Sequence, residues 1–301
     1  MILCAGEALI DMLPREATTG GAAFAPHAGG SVFNTAIALG RLNTPVQFFS
    51  GLSSDLFGDI LRAELAASKV DSSPTHIADR PTTLAFVTLT DGHASYAFYD
   101  ENTAGRMLQP ADLPETQADA VFFGGISLVV EPCATAYAAL MGRVSDTAVT
   151  MIDPNIRPSF ITDEAAYRAR LTNMFASADI IKTSDEDLEW IRGGTDASAL
   201  FEGTKVQVIL LTRGSEGVTV LTRDGTADVP AKKADVVDTV GAGDTFSAGF
   251  LANLHAAGLL TKAALPRAAM SDLTQAAAFG AKVAAITVSR AGANPPWASE
   301  L

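Results

Sequence analysis

From Ala120 onward, short apolar runs alternate with longer runs of helical period. Strands are predicted over Ala120 to Phe123, Ala148 to Ile152, Ile180 to Lys182 and Val206 to Leu211. Helices are predicted over Pro132 to Val144, Asp163 to Ser177 and Ser184 to Arg192, and two more close the chain, Asp244 to Ala257 and Ser271 to Ala285. The opening third behaves similarly: a buried strand over Ile2 to Leu13, a helix over Ser31 to Leu42 with Ser31 as N-cap, a strand over Val46 to Leu52 and a helix over Asp55 to Lys69. Such alternation implies an α/β fold, a mainly parallel sheet with helices on both faces. Two stretches depart from it. Thr82 to Tyr99 alternates Leu84, Phe86, Val87 and Leu89, turns at Thr90-Asp91-Gly92-His93 and resumes at Ala94, which is a hairpin signal. Gly217 to Pro230 reads as a second hairpin around Arg223-Asp224-Gly225. The first hairpin, with pieces of Leu13 to Pro26, would form a small β lid from about residues 12–28 and 80–104.

The chain has 301 residues, room for one large α/β domain with a small appendage or for two domains. Its 48% hydrophobic and 18% charged content fits a globular enzyme and excludes a disordered chain. A net charge of −13 without a basic block argues against nucleic acid and anionic membranes as partners. Cys4 and Cys133, far apart in apolar segments, read as reduced core thiols of a cytoplasmic protein. Met1 to Ile10 carries Glu7 and no basic flank, unlike a signal peptide, and no apolar run reaches the ~18 residues that span a bilayer. The four histidines show no metal-ligand spacing.

The segment Asp238-Thr239-Val240-Gly241-Ala242-Gly243-Asp244-Thr245-Phe246 sets a Gly-X-Gly turn against the start of an apolar helix. A helix start exposes unpaired N–H groups and partial positive charge, and glycine lets a phosphate reach the backbone. A carboxylate there repels phosphate, so Asp244 is either a helix cap or a base for a hydroxyl that attacks the phosphate. Other polar residues fall at predicted strand ends, where open α/β sheets bind ligands. Asp11 ends Gly6-Glu7-Ala8-Leu9-Ile10-Asp11, as a turn residue or as an acceptor for ligand hydroxyls. In Gly29-Gly30-Ser31-Val32-Phe33-Asn34 the glycines allow close approach, and Asn34 both donates and accepts, which suits a polyol; a glycine turn with a surface amide is the plainer reading. In Asp153-Pro154-Asn155-Ile156-Arg157-Pro158, Arg157 suits an oxyanion or an Asp–Arg bridge. Lys182-Thr183-Ser184-Asp185-Glu186-Asp187 contains an acidic first helical turn, and Thr212-Arg213-Gly214 a tight turn.

The segment from Asp238, continued by Ser247-Ala248-Gly249-Phe250, resembles the carboxy-terminal signature of the ribokinase-like (PfkB) sugar kinases. Gly29-Gly30 with Asn34 resembles their amino-terminal signature, and the likeness runs from Gly6 to about Pro295. It implies one domain over residues 1–301, a three-layer α/β/α ribokinase-like fold with a β lid, which transfers the γ-phosphoryl group of ATP to a sugar hydroxymethyl. Asp244 would be the base, and Gly241, Ala242 and Gly243 with the Asp244 N–H would line an anion hole. Asp11, Gly29, Gly30, Asn34 and Arg157 would hold the sugar, covered by Phe98 and Asn102 of the lid. Lys182, Ser184, Thr212, Gly214, Gly241 and Gly243 would face the nucleotide. The family's Asn-x-x-Glu reads Ser184 to Asp187 here, so Mg²⁺, held through water, falls to Asp187 or Glu186. K⁺, which many members bind, would lie by Asp238, Val240 and Gly292.

Within the family, the Gly-Glu-Ala-Leu-Ile-Asp start, the Asp-Pro-Asn-Ile-Arg loop and the Phe98-Tyr99 to Asn102-Thr103-Ala104 stretch resemble fructokinases, although Gly105 stands where many members carry Asp. A 2-keto-3-deoxygluconate kinase is the alternative; its carboxylate substrate calls for a basic group such as Arg106 or Arg157. A ribokinase ranks lower. A catalytically silent sugar or nucleotide sensor is the reading from another class, and Asp244 argues against it. Analogy also suggests a homodimer through the lid.

Overall fold

The computed structural model describes residues 1–90 and 93–301; the predicted turn at Asp91-Gly92 lies outside them. The main sheet is built from β1 (Ile2–Ala5), β4 (Val46–Phe49), β9 (Ala120–Gly124), β10 (Val149–Asp153), β11 (Ile180–Ser184), β12 (Val208–Thr212), β13 (Val218–Thr222) and β14 (Gly225–Val229). Its order is β14-β13-β12-β11-β10-β9-β1-β4, parallel except for the hairpin strands β13 and β14. The strands are apolar on both faces because both are covered. Ile2, Cys4, Phe122 and Met151 face one core, with α1 (Ser31–Arg41), α2 (Leu56–Ala67), α6 (Ala242–Ala256) and α7 (Met270–Val288). Leu3, Ala5, Phe123 and Ile152 face the other, with α3 (Cys133–Val144), α4 (Glu164–Ser177) and α5 (Asp185–Arg192). The period of two thus sorts one set of strands into two cores and gives the expected three layers.

A second sheet, of order β3-β2-β7-β8, uses β2 (Leu9–Glu16), β3 (Ala22–Gly29), β7 (Leu84–Thr90) and β8 (His93–Tyr99). One face presents Leu9 beside Ala85 and Phe98, and Phe98 meets Phe160 edge-on at 4.8 Å between ring centroids. The other carries Phe24, Phe86 and Tyr99 in edge-to-face contact, with Phe24 44% and Tyr99 62% exposed. A short parallel pair, β5 (Gly51–Ser53) and β6 (His76–Ala78), completes the strands among the described residues.

Three expectations need correction. Ile2 to Leu13 is not one strand: β1 and β2 belong to different sheets, parted at Gly6-Glu7. Gly6 packs against Val32 with no room for a Cβ, a close approach that an unbroken apolar run does not disclose. Val46 to Leu52 is likewise divided, into β4 and β5. Nor is Ser31 the cap of α1; Gly30 is, with φ 109°, and the Ser31 hydroxyl is used elsewhere.

Candidate active site

Parallel pairing brings the carboxyl ends of β1, β9, β10 and β11 to one edge, with Ala5 opposite Phe123, Gly124 opposite Asp153 and Ile152 opposite Ile181. The start of α6 arrives at the same edge, and the second sheet stands over it. Between them lies a cleft of about 370 Å³. Of the residues singled out from sequence, Asp11, Gly30, Asn34, Phe98, Arg157, Val240, Gly241, Ala242, Gly243 and Asp244 line it.

Asp244 occupies the first turn of α6, behind Gly241, whose φ of 78° is left-handed and favours glycine. It is 8% exposed. The Ser31 hydroxyl donates to its Oδ1 at 2.8 Å and the Asn34 amide to its Oδ2 at 2.9 Å. The Thr35 hydroxyl donates to its backbone carbonyl at 3.2 Å. Burial pushes the Asp244 carboxyl above the usual range; the Asn34 and Ser31 donors oppose this, Asp153 adds to it and Lys182 opposes it. Among the anion-hole donors, the Ala242 N–H is directed at the Thr239 carbonyl at 3.3 Å, a long bond.

Beneath the turn, Lys182 meets Asp153 at 2.8 Å, and both are buried. Neither Asp153 oxygen has an aligned donor, so the contact is one of charge. A Cβ on Gly243 would stand 3.0 Å from Lys182 Nζ, so glycine lets the ammonium come up under the helix start. Burial acts to lower the Lys182 pKa, but Asp153, with Asp187 and Asp244, outweighs it and leaves the ammonium above its ordinary value. Asp11 is pushed up to about 6 by burial and by the charge of Asp244.

Several candidates lie outside the cleft lining. Gly29 sits behind Asp11, packed so closely that a Cβ would strike its carboxylate. Asn102, at φ 58°, is exposed on the loop after β8. Ser184 caps α5 by accepting from the Asp187 N–H at 3.0 Å and pairs in register with Thr212, whose hydroxyl donates to the Thr183 carbonyl. Gly214 opens a short turn after β12. Ser184, Thr212 and Gly214 thus form a row along the same edge, beyond the cleft. Asp187 is buried and accepts from the Ile156 N–H at 3.0 Å; burial and Asp153 raise its pKa, while Glu186 is exposed. Asp238, Val240 and Gly292 do meet: the Asp238 carboxylate accepts the Val240 N–H at 3.0 Å and the Gly292 N–H at 2.9 Å. Arg106 pairs with Asp100 at 3.8 Å, donates to the Glu131 carbonyl and does not line the cleft.

Sequence reasoning did not single out Glu7, Ser31, Ile126, Asn155, Ser159 or Thr239 as site residues, and all line the cleft. Glu7 had a signal, an acid inside an apolar run. Ile126 had none.

Residues 1–300 match the sequence profile of the pfkB family carbohydrate kinases. A fructokinase of Rhizobium leguminosarum bv. trifolii is 54% identical over 269 residues, 87% of this chain and 82% of that protein. Fructokinase-1 of Oryza sativa subsp. japonica is 32% identical over 100% of this chain and 95% of its own length. The structure of a fructokinase from Xylella fastidiosa with bound ATP superposes with a TM-score of 0.90 at 31% identity, covering 97% of this chain and 93% of that one. Profile, relatives and fold agree with the turn, helix start and buried carboxylate of the cleft: the chain belongs to the pfkB family of carbohydrate kinases.

Proposed function

We propose that this kinase phosphorylates fructose with ATP. The observation that carries the sugar class is the charge of the cleft. Glu7, Asp11 and Asp244 present carboxylates to it, and Arg157 is the one lining residue with a cationic side chain. Arg157 directs its Nη1 to the carbonyls of Asn155 and Ile156, at 3.3 and 3.0 Å. Such a cleft offers acceptors to the hydroxyls of a neutral sugar and repels a substrate carboxylate. The relatives named above are fructokinases, which supports the same sugar. The reading of a 2-keto-3-deoxygluconate kinase rests on Arg157, since Arg106 does not line the cleft.

In this reading Asp11 and Asn34 hold the sugar, Arg157 borders it and Gly30 lets it approach α1. The acceptor hydroxyl lies against Asp244, which takes its proton as the oxygen attacks the γ-phosphorus and ADP departs. The free N–H groups at the start of α6, with Lys182 beneath, stabilise charge on the transferred group. The second sheet acts as the lid, with Phe98 on its inner face excluding water. Ser184, Thr212 and Gly214 border the nucleotide. No cluster of three or more metal-ligating side chains exists among the described residues, which suits a Mg²⁺ carried by the phosphates and reached through water. Glu186, exposed in the first turn of α5, fits that outer role better than Asp187, whose side chain is buried. When bound, Mg²⁺ offsets charge on the β and γ oxygens. The Asp238 clip fits K⁺, since a carboxylate that accepts two N–H groups keeps lone pairs for a cation. The exposed Phe24–Phe86–Tyr99 face of the lid suits a second copy of the chain.

The test is ADP release with Mg²⁺ and K⁺ over fructose, 2-keto-3-deoxygluconate, ribose, glucose and tagatose. Fructose is expected to give the highest kcat/KM. Preference for the keto acid would overturn the sugar and keep the kinase.

A further inference from the structure

We propose that Ser31 is a positioning residue for Asp244: its hydroxyl fixes one oxygen of that carboxylate, and Glu7 anchors Ser31 in place. The inference rests on Asp244 being the base.

Ser31 is the first residue of α1, and the capping position belongs to Gly30, which has no side chain to offer. The hydroxyl is therefore free for another use, and it donates to Asp244 Oδ1 across 213 residues of chain. The Ser31 N–H, an orphan of the helix start, goes to Glu7 Oε1 at 2.9 Å. The other Glu7 oxygen accepts the Ser127 N–H at 3.3 Å. Gly125, at φ 67°, closes against this carboxylate where a Cβ would strike it. Glu7 is thus held on two sides and in turn holds the end of α1.

The two Asp244 oxygens have different partners. Asn34 reaches Oδ2 from one turn further along α1, and its amide also lines the cleft where the sugar is placed. Ser31 has one proton, spent on Oδ1, so it keeps the carboxylate from rotating when Asn34 turns to a sugar hydroxyl. A donor to a buried carboxylate also favours the ionised form that a base requires. The charged groups around Asp244 are Glu7 after β1, Asp11 on β2, Asp153 on β10 and Lys182 on β11.

The test is the pH profile of kcat at saturating sugar and ATP, where the bound sugar already holds Asp11 ionised. Ser31→Ala is expected to move the acid limb up by about one pH unit and to lower kcat at neutral pH about tenfold, with the sugar KM within about threefold. Ser31→Thr, which keeps the hydroxyl, is expected to restore the limb. A hydroxyl with a structural role alone would lower Tm and leave the limb in place, and an unmoved limb in folded Ser31→Ala overturns the proposal. Should that variant not fold, Ser31→Cys, with its weak donor, is expected to move the limb in the same direction, and an unmoved limb there overturns the proposal equally. Asp244→Asn separates the two levels. If it retains turnover, the base assignment fails; if it loses turnover while Ser31→Ala keeps the wild-type limb, only the role of Ser31 fails.

Discussion

At the scale of single residues, the site works by placing carboxylates where burial raises their proton affinity. Asp11 shows the consequence most directly. Its carboxyl is pushed up to about 6 against an ordinary 3.8, so in the folded free enzyme it takes up its proton as pH falls below about 6. That preference stabilises the fold below pH 3.8 and is lost as pH rises through about 6. Sugar binding has the opposite sign, because hydroxyls donate to the ionised carboxylate. The kcat/KM for sugar is therefore expected to fall about tenfold per pH unit below about 6, and the Asp11→Asn profile to lose that limb. A limb that persists unchanged in Asp11→Asn would assign it to another group. The place of Asp244 at a helix start beside the cleft was legible in sequence because its signal is local: a glycine turn, a helix start and an acid within nine residues. Ser31 was not, since its partner lies far along the chain and helix-start serines ordinarily cap. Arg106, named as a possible basic group for a keto-acid substrate, pairs instead with Asp100 and the Glu131 carbonyl and does not line the cleft.

At the scale of elements, the place of Asp244 depends on how closely α6 can approach its neighbours. Gly249 on α6 packs on Gly280 of α7, and a Cβ on Gly249 would stand 2.7 Å from the Gly280 Cα. Backbone cannot give way as a side-chain tip does. Gly249→Ala is expected to lower stability by about 1–2 kcal/mol, overpacking exceeding the ~1 kcal/mol gain in helix propensity. A urea midpoint that falls at unchanged slope would bear this out, and a raised midpoint would contradict it. The strand–helix alternation was readable because each element carries its own period. The division of Ile2 to Leu13 was not, because apolar residues continue from β1 into the start of β2, and the close packing of Gly6 on Val32 at the break is set by the tertiary fold.

At the scale of the whole molecule, an acidic chain of net charge −13 has to receive a polyanion. In the proposed reading it would do so through local positive features, the α6 start and Lys182, while the cleft stays acidic toward a neutral sugar. The second sheet turns one face to that cleft and exposes aromatics on the other. A second copy covering Phe24 and Tyr99 would hide that surface, so Tyr99→Asp is expected to shift a dimer toward monomer in sedimentation. A wild-type chain that sediments as a monomer at high concentration would rule this contact out.

Catalysis in this scheme turns on Asp244 as the base that acts on a sugar hydroxyl. Its most direct measurement is fructose-dependent ADP release by wild type and Asp244→Asn, with calorimetry of fructose binding to each. The prediction is a loss of about 10²-fold or more in kcat, with fructose affinity little changed. Turnover near wild type in Asp244→Asn would contradict it.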